Sequence, residues 1–559
     1  MTAKKTQIIS TVVVAALIAV TAFGFMFEKK GMFLDEIYSY GLSNSHYAPF
    51  MNTLNDGNLV GSTLTGDDFN DYLTVQQGEL FDIGSVLYNQ TQDVHPPLYY
   101  LLLNAASSFT PNEFSMWTGL LLGLPIWLLT GFLLYLLVKN LTGRWDYSLL
   151  AVGLWMLSQV GLSTLLMIRM YVLLTFFTVL LGYLLDRIFS GHCTVLSFLT
   201  VGVVIFAGCL TQYFFAFYAF FACLACGIGL LRRKCIKQAF VFAVCVLMGV
   251  ALFLIVWPVI FSHLFAGGTV SGAGVLGSAI SFFSHPGRIV GSMLLVLKGI
   301  PVASIILLVA FVVLVCNAIC KRCNKDCNSS THQISTSFLR TEGQNHRVLA
   351  VIIPAILAWV VVVILSPYQS LRYVYNLMPF VALAAVCALP IIRTSRLWSF
   401  IQAPTTIIRG KRFKVSNLLG GGVVILCTLC LTIAVQPDYL YRQFAEYNQA
   451  IAEHIDNPCV YYTENCNPAI TSDILQLQQF SNVYVTNSVN VVDAGLLTYL
   501  SEFENPDQII VYVDTYHGSS NYDARSTVDV LADYLNASNS TQLYKGDYSE
   551  AWLISGDDK

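Results

Sequence analysis

Long apolar blocks alternate with short polar joints along most of this chain. Blocks of roughly 17 to 25 residues, the length needed to cross a bilayer core, fall at 8–26, 115–138, 147–166, 170–188, 194–212, 213–231, 238–262, 301–320, 348–365, 374–391 and 418–435. Two further stretches, 97–109 and 289–299, are too short to cross easily and predict interfacial or re-entrant segments. The pattern predicts eleven spans, or thirteen if both short stretches cross. The first block follows Lys4 and Lys5 and has no small-residue cleavage motif after it, so it reads as a retained span.

Polar sequence collects in two places, a loop at 27–96 and a tail at 436–559. The tail alternates β-rich runs (459–464, 482–487, 508–514, 550–554) with helical stretches, an order that predicts a small α/β domain. The expected organisation is therefore a transmembrane catalytic domain over 1–435, with its first external loop at 27–96, followed by a soluble extracytoplasmic domain over 436–559.

Composition narrows the class. Charged residues make up 11% and hydrophobic residues 55%, against about 25% charged in soluble domains. This excludes a cytosolic enzyme, a secreted disulfide scaffold and a disordered chain. Of the 30 Lys and Arg, 20 fall on one side of an eleven-span map, facing only Asp146, Asp186, Asp326 and Glu342 there. The positive-inside rule makes that side cytoplasmic. The expected protein is a multi-pass cell-membrane protein with a cytoplasmic N-terminus and an extracytoplasmic tail.

Cys316, Cys320, Cys323 and Cys327, with His332 and His346 nearby, lack the paired C-x-x-C spacing of a zinc site and read more readily as reduced or lipid-modified thiols. Cys459 and Cys466 are spaced to allow a disulfide in an oxidising compartment.

Three segments carry candidate chemistry. FLDEIYSYG (33–41) places Asp35 and Glu36 just outside the first span. On its own it reads as a solvated helix end. DVHPPLYYLL (93–102) follows at the far end of the same loop. Its two prolines hold Asp93 and His95 in a rigid entry at the membrane surface, and Tyr99 and Tyr100 come next. Arg169 in MIRMYVL and Arg372 in SLRYVYNLMP lie at external span ends, the side that disfavours cations. Each either snorkels to headgroups or binds a lipid phosphate through paired hydrogen bonds.

FLDEIYSYG, DVHPPLYY, IRMYVLL and LRYVYNLMP together resemble the GT-C glycosyltransferases. They are most similar to the protein O-mannosyltransferase group (glycosyltransferase family 39) and its bacterial relatives, including the lipid A aminoarabinose transferases. The likeness covers the chain up to the fourth predicted span and, more weakly, 366–380. It implies a GT-C-like membrane fold, an acidic catalytic base in the first external loop and a polyprenyl-phosphate sugar as donor. The sugar-binding MIR-like repeats of the eukaryotic protein mannosyltransferases have no counterpart here.

The chemistry is also coherent by itself. A transferase outside the membrane has no nucleotide sugar and needs a donor that arrives through the bilayer. Asp35 is then the base that deprotonates an acceptor hydroxyl, and direct attack inverts the anomeric carbon. Arg372, with Tyr373 and Arg169, holds the departing phosphate. Glu36 assists in catalysis. His95, Asp93 and Tyr99 orient the base or the acceptor. The sequence requires no cofactor; Glu36, His95 and His263 are the candidates if a divalent metal is used, and His285 lies on the same external loop as His263. Expected partners are a polyprenyl-phosphate sugar, a glycan, lipid or protein acceptor, and membrane lipids, with no nucleic acid. The competing readings are a transporter, disfavoured by the near-absence of charge within spans, and a membrane-anchored binding protein acting through its tail.

Overall fold

The structure, a computed structural model, describes residues 3–53, 59–265, 287–323, 342–393, 407–408, 411–412, 417–463, 468–487, 493–503, 508–516, 524–537 and 539–556. It divides into two compact units. One holds 1–25, 123–166 and 170–438; the other holds 26–122, 167–169 and 439–559.

The first unit is helical. Each of the eleven apolar blocks forms a helix or a bent helix pair. Among the described residues, eight helices are long and apolar enough to cross a membrane, and Trp145–Met156 with Gln159–Leu166 adds a pair bent by 62°. Val195–Thr211 and Gly420–Val435 are shorter apolar helices. The stretch at 97–109 becomes the ten-residue helix Leu98–Ser107, and that at 289–299 the thirteen-residue helix Gly287–Gly299. At 1.5 Å per residue neither reaches across about 30 Å of hydrocarbon.

The bend has a local cause. Ser158 sits between the two helices, and its hydroxyl accepts from Gly161 N (3.1 Å), an N-cap that starts a new helix. A Cβ on Gly161 would lie 1.9 Å from the Trp155 carbonyl oxygen, so only glycine fits the turn. Leu157 O, at the break, accepts from Thr432 (2.8 Å), and the Trp127 indole donates to Gly161 O (2.9 Å) just beyond it. Backbone polar groups at membrane depth require such partners. Arg347 grips the fully buried Asp186 carboxylate with Nε (2.9 Å) and Nη2 (2.8 Å). That fork ties the helix Tyr171–Phe189 to Glu342–Leu365.

The second unit contains a six-stranded sheet. Its strands are β1 (Thr63–Thr65), β2 (Cys459–Tyr462), β3 (Asn482–Thr486), β4 (Gln508–Asp514), β5 (Asn539–Lys545) and β6 (Ser549–Ser555). The order across the sheet is β1-β3-β2-β4-β6-β5. β2 pairs in parallel with both β3 and β4, and the other pairings are antiparallel. All four residues of β2 are buried, as expected for a central parallel strand covered on both faces. Val460, Val511, Val513 and Trp552 pack against Val528 and Leu531 of the helix Ala524–Tyr534 on one face. On the other, the Tyr461 and Tyr512 rings stack at 5.5 Å.

The four tail strands expected from the sequence are present. The structure adds β5 and, less predictably, β1, which comes from the 27–96 loop and pairs with β3 in register Thr63↔Tyr484 to Thr65↔Asn482. The first external loop is therefore part of the same compact unit as the tail. Cys466, Cys327, His332 and His285 lie outside the described residues.

Candidate active site

Asp35 and Glu36 occupy the first turn of the helix Leu34–Asn44, where carboxylates complement the helix dipole. Their environments are opposite. Glu36 is fully buried. Its Oε2 accepts from Phe33 N (2.7 Å), in the capping position three residues into the helix, and from Lys29 Nζ (3.0 Å); its Oε1 accepts from Ile168 N (2.8 Å). Burial raises the Glu36 pKa, against the pull of Lys29 and the backbone amides. Lys29 is equally buried, and it also donates to Tyr439 O (2.7 Å). Glu36 thereby joins the end of the first span, its own helix, the 167–169 segment and the start of the tail. The Asp35 side chain keeps 20% of its exposure.

Three of the predicted residues gather beside Asp35. Arg169 donates through Nη1 to the Asp35 backbone carbonyl, and its Nε lies 3.9 Å from Asp35 Oδ2. Its Nη2 is 3.5 Å from His95 Nδ1, which in turn is 2.7 Å from Asp93 Oδ2. Asp93 is buried, which works against its charge, yet His95 and Arg169 hold its carboxyl down to about 2. With His95 Nδ1 assigned as the donor to Asp93, Nε2 is the ring nitrogen left as an acceptor. Asp93, His95, Arg169 and Asp35 thus form one continuous chain with an acid at each end and His95 and Arg169 between them, assembled from both ends of the first loop and from a segment some seventy residues beyond it.

The helix that carries Asp35 is held rigidly. Tyr40 donates its hydroxyl to Ser115 O (2.8 Å) and accepts from Gly119 N (2.9 Å). Asn44 donates to Leu73 O (2.7 Å), and Asn104 donates to Ser43 O (2.8 Å). A Cβ on Gly41 would meet the Tyr72 ring at 2.0 Å, so glycine is needed for this packing. Tyr99, expected to orient the acceptor, is fully buried beneath the cluster, with its ring edge-on to Tyr100 at 5.9 Å.

The remaining predicted residues belong to the helical unit. Arg372 lies on a short 3-10 helix, Leu371–Leu377, and is buried to 5% exposure. Its guanidinium sits over the rings of Tyr368 (5.3 Å) and Tyr373 (5.5 Å) and donates to the Tyr368 hydroxyl. Tyr373 and Arg288 line a cavity together with Ser366, Gln369 and Ser370. His263 Nδ1 is 2.9 Å from the Tyr213 hydroxyl, which also accepts from the Trp257 indole (3.0 Å). Among the described residues, no three His, Cys, Asp or Glu side chains are grouped to hold a metal ion.

Lys29 and Arg288 were not singled out from the sequence. The signal that could have found them is the one that found Arg169 and Arg372, a basic residue on the side that the positive-inside rule disfavours.

With this geometry in place the chain can be set beside known structures. It is similar to ArnT from Cupriavidus metallidurans bound to undecaprenyl phosphate (TM-score 0.47, 11% identity) and to the same protein in the apo state (0.48, 12%), each over 97% of both chains. It is also similar to the archaeal oligosaccharyltransferase AglB from Archaeoglobus fulgidus in complex with an inhibitory peptide and a dolichol-phosphate (TM-score 0.40, 10% identity, 89% of this chain and 69% of that one). These structural neighbours are GT-C proteins. No protein-family model matches the chain, and no curated protein matches its sequence.

Proposed function

We propose that this protein is an inverting glycosyltransferase that moves a sugar from a polyprenyl-phosphate carrier to an acceptor hydroxyl on the extracytoplasmic face. The observation that carries the reading is the division of labour within the Asp-Glu pair. Glu36 is consumed by three donors, whereas Asp35 stays partly exposed beside Arg169. A general base needs a fixed position and access to the proton it removes, and of the two acids only Asp35 has both.

In this mechanism Asp35 takes the acceptor proton as the acceptor oxygen attacks the anomeric carbon. The bond to the carrier phosphate breaks, and the polyprenyl phosphate leaves as an anion. Arg169, through its contacts to Asp35 and His95, holds the base in place. Arg372, backed by two tyrosine rings, supplies a desolvated guanidinium of the kind that binds phosphate by paired hydrogen bonds. Polyprenyl phosphate, the lipid class bound in the ArnT and AglB structures, is the carrier we assign to the donor.

The test is a membrane assay with labelled polyprenyl-phosphate sugars, scoring which label leaves the lipid. Asp35→Asn is nearly isosteric but cannot accept the proton, so transfer should fall on the order of 100-fold or more while the protein stays folded and binds donor. Activity within a few-fold of wild type would remove Asp35 from the mechanism.

A further inference from the structure

The sheet of the second unit has a topological switch point of its own. Its parallel strands run in the order β3-β2-β4, so the chain crosses from one side of β2 to the other between β3 and β4. In open α/β sheets, ligands bind outside the carboxyl ends of the strands at such a reversal. Here those ends are the residues just after β2 and at the end of β4, where Thr463 donates its hydroxyl to Asp514 Oδ2 (2.7 Å). Asp514 Oδ1 accepts from Tyr516 N (2.8 Å). β6 runs antiparallel to β4 with Ser549 opposite Asp514, which brings Tyr548 to the same edge. Thr515 N donates to Tyr548 O (2.8 Å), and the Tyr516 and Tyr548 rings lie 5.4 Å apart at 37°. Tyr516 is 40% exposed.

This edge connects to the helix of the candidate base. The helix Pro468–Ser472, which follows β2, packs against the helix that carries Asp35, and the Tyr38 hydroxyl is hydrogen-bonded to Thr471. Burial, then Asp35, raise the Tyr38 phenol above its ordinary range, and the Tyr548 and Tyr516 phenols add to the shift. All four groups therefore share one neighbourhood.

We propose that Tyr516 and Tyr548, with Tyr38, form an acceptor-binding wall beside Asp35, and that the acceptor it takes is a neutral carbohydrate. Two tilted rings with hydroxyl rims suit a pyranose, whose C–H face lies on an aromatic surface while its hydroxyls exchange hydrogen bonds at the edge. Asp514 and Asp547 put carboxylates at this edge, and Asp35 beyond it is already matched by Arg169, which favours a neutral acceptor over an anionic one.

The identification of this sugar as acceptor rests on the transferase reading; the binding site itself is tested without turnover. Saturation-transfer NMR on the full chain in nanodiscs, with methyl α-mannoside, methyl α-glucoside and methyl β-galactoside as probes, should show transfer to the ring C–H protons of at least one glycoside. Tyr516→Ala/Tyr548→Ala should reduce that signal to background. Tyr516→Phe/Tyr548→Phe, which keeps the rings, should retain it. No signal with wild type, or an unchanged signal with the alanine pair, overturns the wall. A signal from a Ser/Thr peptide and none from the glycosides overturns the carbohydrate assignment. Should glycoside binding follow this pattern while no lipid-linked sugar is turned over, the transferase reading falls and the binding wall stands.

Discussion

Three donors converge on the Glu36 carboxylate, while its neighbour Asp35 meets a guanidinium at the edge of solvent. One position along a helix turns a side chain through about 100°, and that rotation separates a group locked inside from one at the edge of solvent. A buried ion pair is expensive to desolvate, and removal of one partner leaves an uncompensated charge at a cost of about 3–5 kcal/mol. Lys29→Met should therefore lower thermal stability by an amount in that range, and Lys29→Met/Glu36→Leu should recover much of the loss. Thermal unfolding of the purified proteins reads both, and a single variant as stable as wild type would deny the pair its role in holding Asp35 and Arg169 together. Arg372 makes a different point. Its planar cation lies over the rings of Tyr368 and Tyr373, which meet edge-on at 5.5 Å, and lysine cannot reproduce its forked donors. Arg372→Lys should weaken donor binding on the order of tenfold despite the conserved charge, as measured by titration with polyprenyl phosphate; unchanged affinity would reduce Arg372 to a headgroup anchor.

At the scale of elements, the tail sheet holds a titratable strut. Asp473, fully enclosed between strands and helices, accepts from the Tyr461 hydroxyl (2.8 Å) and the Tyr544 hydroxyl (3.2 Å). Burial, only partly offset by these hydrogen bonds, raises its carboxyl from 3.8 to about 6. The folded state then binds the proton more tightly than the unfolded chain. Its contribution is fully present below about pH 4 and is lost as the pH rises through about 6. Asp473→Asn keeps the shape and stays neutral, so it should be more stable than wild type at pH 8, by on the order of 3 kcal/mol, and no more stable at pH 4. Unfolding midpoints across that range check the sign. In the helical unit, Asp186 and Arg347 act as a cross-helix fork. Asp186→Ala should destabilise the pair of helices more than Asp186→Ala/Arg347→Met does, because the first strands a guanidinium near the membrane. Detergent-solubilised thermal melts discriminate the two.

Across the whole molecule, we propose from the charge bias a cytoplasmic N-terminus, with the first loop and the tail on the opposite side. That the loop and the tail share one compact unit is in keeping with this, since β1 from residues 63–65 completes an edge of the tail's sheet. In a background lacking accessible native cysteines, Gln77→Cys and Asp529→Cys should be labelled by an impermeant reagent in intact cells. His192→Cys should be labelled only after permeabilisation. Labelling at position 192 in intact cells would invert the map.

The sequence alone determined what depends on local composition. Helix positions followed from apolar length, because hydrocarbon thickness dictates how many residues must be dry. The four tail strands followed from β-rich runs, and Asp35, His95, Arg169 and Arg372 stand out as candidates because they are polar residues placed where they are costly. Tertiary structure decided what depends on distant partners. Which acid of the Asp-Glu pair stays accessible depends on Lys29, Ile168 and Phe33 converging on Glu36. The short strand at 63–65 carries no readable pattern because its pairing partner lies some 420 residues away. The bend at Ser158 is supported by Thr432 and Trp127, and no local window contains them. Burial of one carboxylate and exposure of its neighbour is a property of the assembled surroundings, so it emerges only when the chain has folded around both.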